Sequence, residues 1–262
     1  MVIDIHTHAW PDKVALKAKT SLESFFKIRL AGDGTVTGLL ASMDANNVDV
    51  SVICAVASRP EQVRSINSWL FGVRSQRIRV FAALHPGYAQ WKEELSLIRA
   101  HGDGVKFQPE FQNFYVDDPA VFPVYELLQE LALPVLFHCG EELSGTLLVR
   151  SSPDRIWKIR QSFPKLRIIA AHFGGFRLWP EVEKHLLGRD VYLDTSYFFS
   201  FLPPKEIKRM LELHSPDRLL FGSDFPIAGQ RSDLEFLRAL DIAPQLKEKI
   251  LCRNAQQVLG IA

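Results

Sequence analysis

The chain has 262 residues, 47% hydrophobic and 23% charged, and its 31 Lys+Arg against 30 Asp+Glu leave a net charge of +1. Those proportions exclude disordered, collagen-like and coiled-coil chains, and near-neutrality removes the basic footprint that nucleic-acid binding needs. A chain of this length buries roughly 70–75% of its unfolded surface, so a bound metal ion would serve chemistry rather than folding.

Short apolar, β-rich runs alternate with helical patterns along the chain, the signature of a parallel sheet built from βα units. The predicted strands are Val2–Ile5, Val50–Val56, Val80–Leu84, Gly104–Phe107, Val135–Phe137, Leu166–Ala170, Val191–Leu193 and Arg218–Phe221. Helices are predicted at Thr37–Asn46, Glu61–Ser75, Gln90–His101, Pro119–Glu130, Pro153–Ser162, Trp179–Leu187 and Pro204–Leu213. Pro60, Pro119, Pro153, Pro180 and Pro204 fall near first turns, where the missing N–H costs little, and Asp118 and Ser152 stand at N-cap positions. The tail from Pro244 to Leu259 reads as an amphipathic helix with Ile250, Leu251, Ala255, Val258 and Leu259 on one stripe.

Eight strands with intervening helices in this length predict a (β/α)8 TIM barrel filling residues 1–262 as one domain. A doubly wound open sheet is the alternative, but no Gly-rich fingerprint follows the first strand. The least regular stretches, Ala9–Thr35, Gln108–Asp118 and Cys139–Ser151, each follow a strand and are expected on the barrel face where active sites are built. Cys54, Cys139 and Cys252 lack metal-type spacing and read as reduced, buried thiols. No run approaches the ~18 apolar residues of a membrane span, and the N-terminus carries no basic targeting region, so a cytoplasmic protein is expected.

The histidines carry the chemistry. His6 and His8 close the first strand as His-Thr-His, and positions i and i+2 of a strand share a face, so both imidazoles converge on one point. His138 ends strand five, His172 ends strand six, and Asp224 follows strand eight. Five metal-competent side chains at the C-terminal ends of four strands suit Zn, Mn, Fe or Ni. Three or four such ligands leave a position for water, whose pKa a zinc ion lowers to about 7. By contrast His101, His185 and His214 fall in or at the ends of predicted helices and read as structural or surface residues. His85, in Leu-His-Pro after strand three, reads as a rim hydrogen-bonding residue, with a supporting place behind the ligands as the alternative.

The motifs carry a resemblance. Ile-Asp-Ile-His-Thr-His at 3–8, Gly-Val-Lys-Phe-Gln-Pro at 104–109, Leu-Pro-Val-Leu-Phe-His-Cys-Gly at 133–140, Ala-Ala-His-Phe-Gly-Gly at 170–175 and Leu-Leu-Phe-Gly-Ser-Asp-Phe-Pro at 219–226 resemble the amidohydrolase superfamily. More narrowly they resemble the amidohydrolase-related branch that includes aminocarboxymuconate-semialdehyde decarboxylase, and the likeness runs to Ile-Leu-Cys-Arg-Asn-Ala-Gln-Gln-Val-Leu-Gly at 250–260. The resemblance implies a distorted TIM barrel holding a divalent metal, usually zinc. His6, His8, His138 and Asp224 match that branch's metal ligands. His172 matches a histidine that serves as general base, orients the metal-bound water or, in other branches, is itself a ligand. Members are often dimers, so a homodimer is compatible with the likeness.

Lys106 has three open readings: contact with a substrate carboxylate, a lysine running along the barrel wall, or a carboxylated lysine bridging two metals. The related nuclease branch carries a glutamate there, and its absence argues against a nuclease. Trp10, Gln108, Arg150 and Tyr197 are the further candidates for substrate binding, Arg150 as a bidentate clamp on an anion. Arg59 and Glu110 sit on the same loops, and Phe111, Phe114, Phe198, Phe199 and Phe201 make those loops aromatic, as core, lid or the wall of an aromatic site.

The expected function is a metal-dependent hydrolase acting on an amide, ester or lactone of a small carboxylated or aromatic molecule, with Asp224 or His172 taking the proton of the attacking water. The alternative is a non-oxidative decarboxylase of an aromatic or unsaturated carboxylic acid. A third reading, from another class, is a catalytically silent ligand-binding barrel, which missing ligands would favour. Substrate and metal identity stay open at this level, with Zn2+ expected ahead of Mn2+.

Overall fold

The computed structural model describes residues 1–145 and 148–261, so Thr146 and Leu147 of the loop Cys139–Ser151, and Ala262 at the end of the expected domain, lie outside it. Eight strands are present: β1 (Ile3–Thr7), β2 (Val50–Cys54), β3 (Ile78–Ala83), β4 (Gly104–Phe107), β5 (Val135–Phe137), β6 (Ile168–Ala170), β7 (Tyr192–Asp194) and β8 (Leu219–Leu220). They form one sheet in sequential order, every neighbouring pair parallel. Ile5 N–H donates to the Phe221 carbonyl (2.9 Å) and Asp224 N–H to the His6 carbonyl (2.8 Å), which ties β1 to the end of β8 and closes the ring. Each strand overlaps its predicted run, with ends shifted by no more than two residues.

Sequence alternation explains why the sheet closes. Ile5, Val52, Phe81, Leu136, Ile169 and Leu220 form one buried cluster with Ala255 and Val258 of the C-terminal segment. Their strand neighbours, such as Val80, Val105, Phe137 and Ala170, pack in a second cluster with Leu39, Leu70, Ile98, Leu128, Ile159, Ile207 and Leu237 of the surrounding helices. Strands buried on both faces need near-continuous apolar runs, and each such side chain contributes about 1.5–3 kcal/mol on burial. The barrel thus leaves its C-terminal rim for polar residues.

Several helix starts follow their local chemistry. Prolines occupy the first or second position of the helices beginning at Pro60, Pro119, Pro153, Trp179 and Pro204, and Asp118 caps its helix by accepting from Ala120 N–H. Ser152 departs from expectation: its hydroxyl goes to Asp154 and makes no bond to the helix backbone. The tail is broken into Pro244–Glu248, a wider π turn at Lys249–Arg253 and Asn254–Leu259 rather than one regular helix.

Among the described residues, three α-helices stand where the sequence pattern indicated none. Ala9–Thr35 holds a 15-residue helix, Asp12–Phe26, that buries only Ala15 and Phe26. Its Val14, Lys17, Ala18, Ser21, Leu22 and Phe26 recur at helical spacing but face a cavity, so no core-facing apolar stripe announced it. A short helix, Pro109–Gln112, lies within Gln108–Asp118, and Gln230–Ala239 follows β8.

Candidate metal centre

Strand ends and sharp turns gather the polar groups. His6 lies in β1 and His8 just beyond it, where the pairing with β2 shifts register between Asp4 and Thr7, and their ring centres are 5.1 Å apart. His138, His172 and Asp224 follow β5, β6 and β8 directly or within a few residues. His172 (φ 55°), Tyr197 (φ 56°) and Asp224 (φ 64°) all adopt left-handed backbone conformations. Such conformations in non-glycine residues cost about 1–3 kcal/mol each and persist where surrounding structure holds them. Gly140 (φ +94°) lets the chain after His138 lie against Phe176, whose backbone nitrogen would stand 2.2 Å from a Cβ there.

Each histidine has one nitrogen committed. His8 Nδ1 donates to the Cys54 carbonyl at 2.7 Å, leaving Nε2 2.9 Å from Asp224 Oδ1. His6 Nδ1 lies 2.9 Å from Asp194 Oδ2, and its Nε2 lies 3.4 Å from Asp224 Oδ1 and 3.2 Å from Lys106 Nζ. His138 Nδ1 lies 3.0 Å from His172 Nε2, while His138 Nε2 is buried without a hydrogen-bond partner, 3.3 Å from Glu142 Oε1.

Burial, then the charge of Lys106, holds His6 well below the usual imidazole range, and burial with His172 and Lys106 does the same to His138. For Asp224 burial acts upward, but His6, His8 and His172 outweigh it and keep the carboxyl below its usual range. Burial and then the charge of Glu110 push Glu142 up to about 8.

Among the described residues, three groups bring donor atoms within 4.8 Å of one another: His6, His8 and Asp224; His6, His172 and Asp194; and Glu110, His138 and Glu142. The first is the core of the expected ligand set. His138 falls with Glu110 and Glu142 rather than inside that trio, although its buried Nε2, without a hydrogen-bond partner, could serve as a further donor. The donor chemistry fits a divalent ion: two imidazole nitrogens meet one carboxylate oxygen, and an ion shared by the three would turn facing lone pairs into ligand contacts.

A cavity of about 560 Å³ opens above this cluster. His6, His8, His138, His172, Asp224, Lys106, Trp10, Gln108 and Tyr197 all line it, so the structure brings these expected residues together. Trp10 stacks at 6.5 Å on His8, and Tyr197 meets His172 edge-on at 6.0 Å. Gln108 Nε2 donates to Glu142 Oε1 at 2.5 Å. Lys106 is 1% exposed and, among the described residues, has no carboxylate within 4.0 Å.

Arg150 is the exception. It is not among the lining residues: its backbone N–H is held by Glu110 at 2.9 Å, and its half-buried guanidinium bonds Asn113 and lies 5.4 Å from the Tyr115 ring, so these loop contacts take it instead of the cavity. Arg59 is exposed and likewise outside the lining. Of the aromatics, Phe111 lines the cavity, while Phe114 packs on Phe107, Phe198 stacks on Phe173 at 3.7 Å, Phe199 on Phe236, and Phe201 covers Phe176 and Tyr197. His214 is structural, held by Gly188 and Val191, and His85 accepts from Gly87 at the rim.

Sequence reasoning missed Asp194, Ser196, Glu142 and Phe176. Asp194 ends β7, the same position that singled out the histidines, and a search for strand-end carboxylates would have found it. Glu142 stands in a loop and carries no positional signal.

The amidohydrolase family model matches residues 3–261. No curated protein matches the chain. Solved structures similar to it include 5-carboxyvanillate decarboxylase from Sphingomonas paucimobilis, 16% identical with a TM-score of 0.73 over 100% of this chain and 99% of that one. A 2,6-dihydroxybenzoate decarboxylase from Rhizobium is 17% identical with a TM-score of 0.74 over 99% and 98%. A dihydroxybenzoic acid decarboxylase from Polaromonas sp., with bound manganese and the inhibitor 2-nitroresorcinol, is 18% identical with a TM-score of 0.74 over 99% and 96%.

Proposed function

Because the chain belongs to the amidohydrolase family, we propose that it is a divalent-metal-dependent carboxy-lyase, removing carbon dioxide without oxidation from a small aromatic or unsaturated carboxylic acid. The observation that carries this reading is Lys106: a buried ammonium with no carboxylate partner among the described residues, on the cavity floor beside His6. Burying a charge without a counter-charge is costly, and a substrate carboxylate supplies one. The ammonium's 3.2 Å contact with His6 Nε2 is a hydrogen bond to a neutral ring and leaves the charge uncompensated.

His6, His8 and Asp224 would hold the ion, with His138 Nε2 as the fourth donor, and manganese or zinc suits this set. When bound, the ion supplies Lewis-acid stabilisation of negative charge on the substrate. Lys106 binds the carboxylate, Trp10, Phe111 and Tyr197 wall a planar ring, and the helix Asp12–Phe26 forms one side of the cavity. Loss of carbon dioxide breaks one C–C bond, leaves the electron pair on the ring or vinyl carbon, and needs one proton there; we assign delivery of that proton, drawn from solvent, to Asp224, while His172, whose nitrogens face Ser196 and His138, positions His138. The decarboxylases similar in fold support this over hydrolysis.

Hydrolysis of an amide, ester or lactone, expected first from the strand-end histidines, is the second reading; the His6, His8 and Asp224 trio favours it, because an ion held there would lower the pKa of a water molecule. One experiment separates the two. Manganese-loaded protein is incubated with 2,6-dihydroxybenzoate, 5-carboxyvanillate and related acids, and with ester and lactone panels. Carbon dioxide release from an acid supports the lyase; hydrolysis products alone overturn it.

A further inference from the structure

Proton positions in the cluster follow from counting donors and acceptors. Asp194 Oδ1 receives three donors: the backbone N–H groups of His172 and Ser196 at 3.0 Å each, and the Ser196 hydroxyl at 2.5 Å. A hydroxyl has one proton, and Ser196 has given it to Asp194. Ser196 Oγ therefore presents a lone pair to His172 Nδ1, 2.9 Å away, and the ring proton of His172 sits on Nδ1. A neutral imidazole carries one N–H, so His172 Nε2 is bare and accepts from His138 Nδ1 at 3.0 Å. His138 has then spent its own proton, and its buried, unpartnered Nε2 is left as a lone pair. The other carboxylate oxygen of Asp194 acts directly: Oδ2 takes the Nδ1 proton of His6 at 2.9 Å.

We propose that Asp194 and Ser196 are positioning residues that set the tautomers of two rings at once, His6 directly and His138 through His172, so that both direct bare Nε2 atoms at the ion. One carboxylate thus prepares two ligands from different strands, and a serine hydroxyl passes the order along. Which nitrogen carries the proton is decided by the partner of the other, and outer partners of this kind are worth about 10–100-fold in metal affinity. The inference rests on reading the cavity floor as a metal site, but its test does not need metal.

Histidine side chains of ¹⁵N-labelled, metal-free protein are examined by long-range ¹H–¹⁵N correlation at neutral pH, with rings assigned through single substitutions. His6, His138 and His172 are expected as Nδ1–H tautomers. In Ser196→Ala, His172 and His138 are expected to move to Nε2–H while His6, still bonded to Asp194, keeps Nδ1–H and reports an intact fold. Ser196→Thr restores the hydroxyl and the wild-type pattern. Zinc affinity, measured by chelator competition, should fall about 10–100-fold in Ser196→Ala and recover in Ser196→Thr. An Nε2–H tautomer at His138 in the wild type, or no change in Ser196→Ala, overturns the proposal, and the wild-type spectrum decides this even if the alanine variant fails to fold. Wild-type tautomers as expected in a protein that binds no ion would overturn the metal reading and leave the relay standing.

Discussion

His8 Nε2 and Asp224 Oδ1 face each other at 2.9 Å, although the Nδ1 proton of His8 already goes to the Cys54 carbonyl. A neutral ring so committed meets the carboxylate lone pair to lone pair, and either a second ring proton or a metal cation between them makes the contact favourable. His6 Nε2 repeats the arrangement on the same oxygen at 3.4 Å. Protonating both rings would place two imidazolium charges beside the buried Lys106 ammonium, and burial already disfavours that for His6. One divalent ion satisfies these contacts together.

Lys106→Met removes the buried ammonium and keeps most of the volume. Replacing an unpaired buried charge by a packed apolar group should leave the fold equally stable or more stable, by up to about 4 kcal/mol. The same change removes a charge-assisted contact of about 1.5–3 kcal/mol with a carboxylate, so kcat/KM for an acid substrate should fall about 10–100-fold. Urea unfolding and steady-state kinetics measure the two effects, and an unchanged kcat/KM would remove Lys106 from substrate binding.

Arg150→Ala should leave KM and kcat unchanged, because the guanidinium sits on Asn113 and Tyr115 outside the cavity. The bond from its backbone N–H to Glu110 survives the substitution, so the effect on stability should be no more than about 1 kcal/mol. A rise in KM confined to acidic substrates would restore Arg150 as an anion clamp.

His214 makes folding pH-dependent. Its Nε2 donates to the Val191 carbonyl and its Nδ1 accepts from Gly188, and burial pushes its pKa from 6.5 down to about 4 despite the Val191 bond. The unfolded chain takes up the proton near pH 6.5 and the folded chain does not until about pH 4. The stabilisation is therefore complete above pH 6.5 and lost as pH falls toward 4, about 3 kcal/mol over that span. In His214→Gln this loss is absent, so the difference in unfolding free energy between wild type and variant should shrink by about that amount from pH 7 to pH 4. Differencing cancels the buried carboxyls, such as Asp4 at about 6, that act in the opposite direction. A difference constant with pH would contradict the assignment.

The legible part of this site is the part that strand periodicity controls. His6, His8, His138, His172 and Asp224 end parallel strands, and in a barrel those ends point to one rim, so sequence position alone predicted their meeting. Asp194 obeyed the same rule at the end of β7 but stood in a run whose neighbours, Thr195 and Ser196, carried no metal-binding signal. Arg150 and Glu142 depended instead on loop conformation, which long-range bonds decide: Glu110 binding the Arg150 backbone, and Gln108 binding Glu142. The helix Asp12–Phe26 escaped notice because its inner face meets a cavity rather than the core, so the apolar stripe that marks a packed helix is thin.

The most direct test is elemental analysis of the protein purified without added metal or chelator, beside Asp224→Ala. The account predicts about one equivalent of manganese or zinc in the wild type and its loss in the variant, which removes the oxygen shared by His6 and His8. A wild-type protein that holds no divalent ion, even after reconstitution, would contradict it.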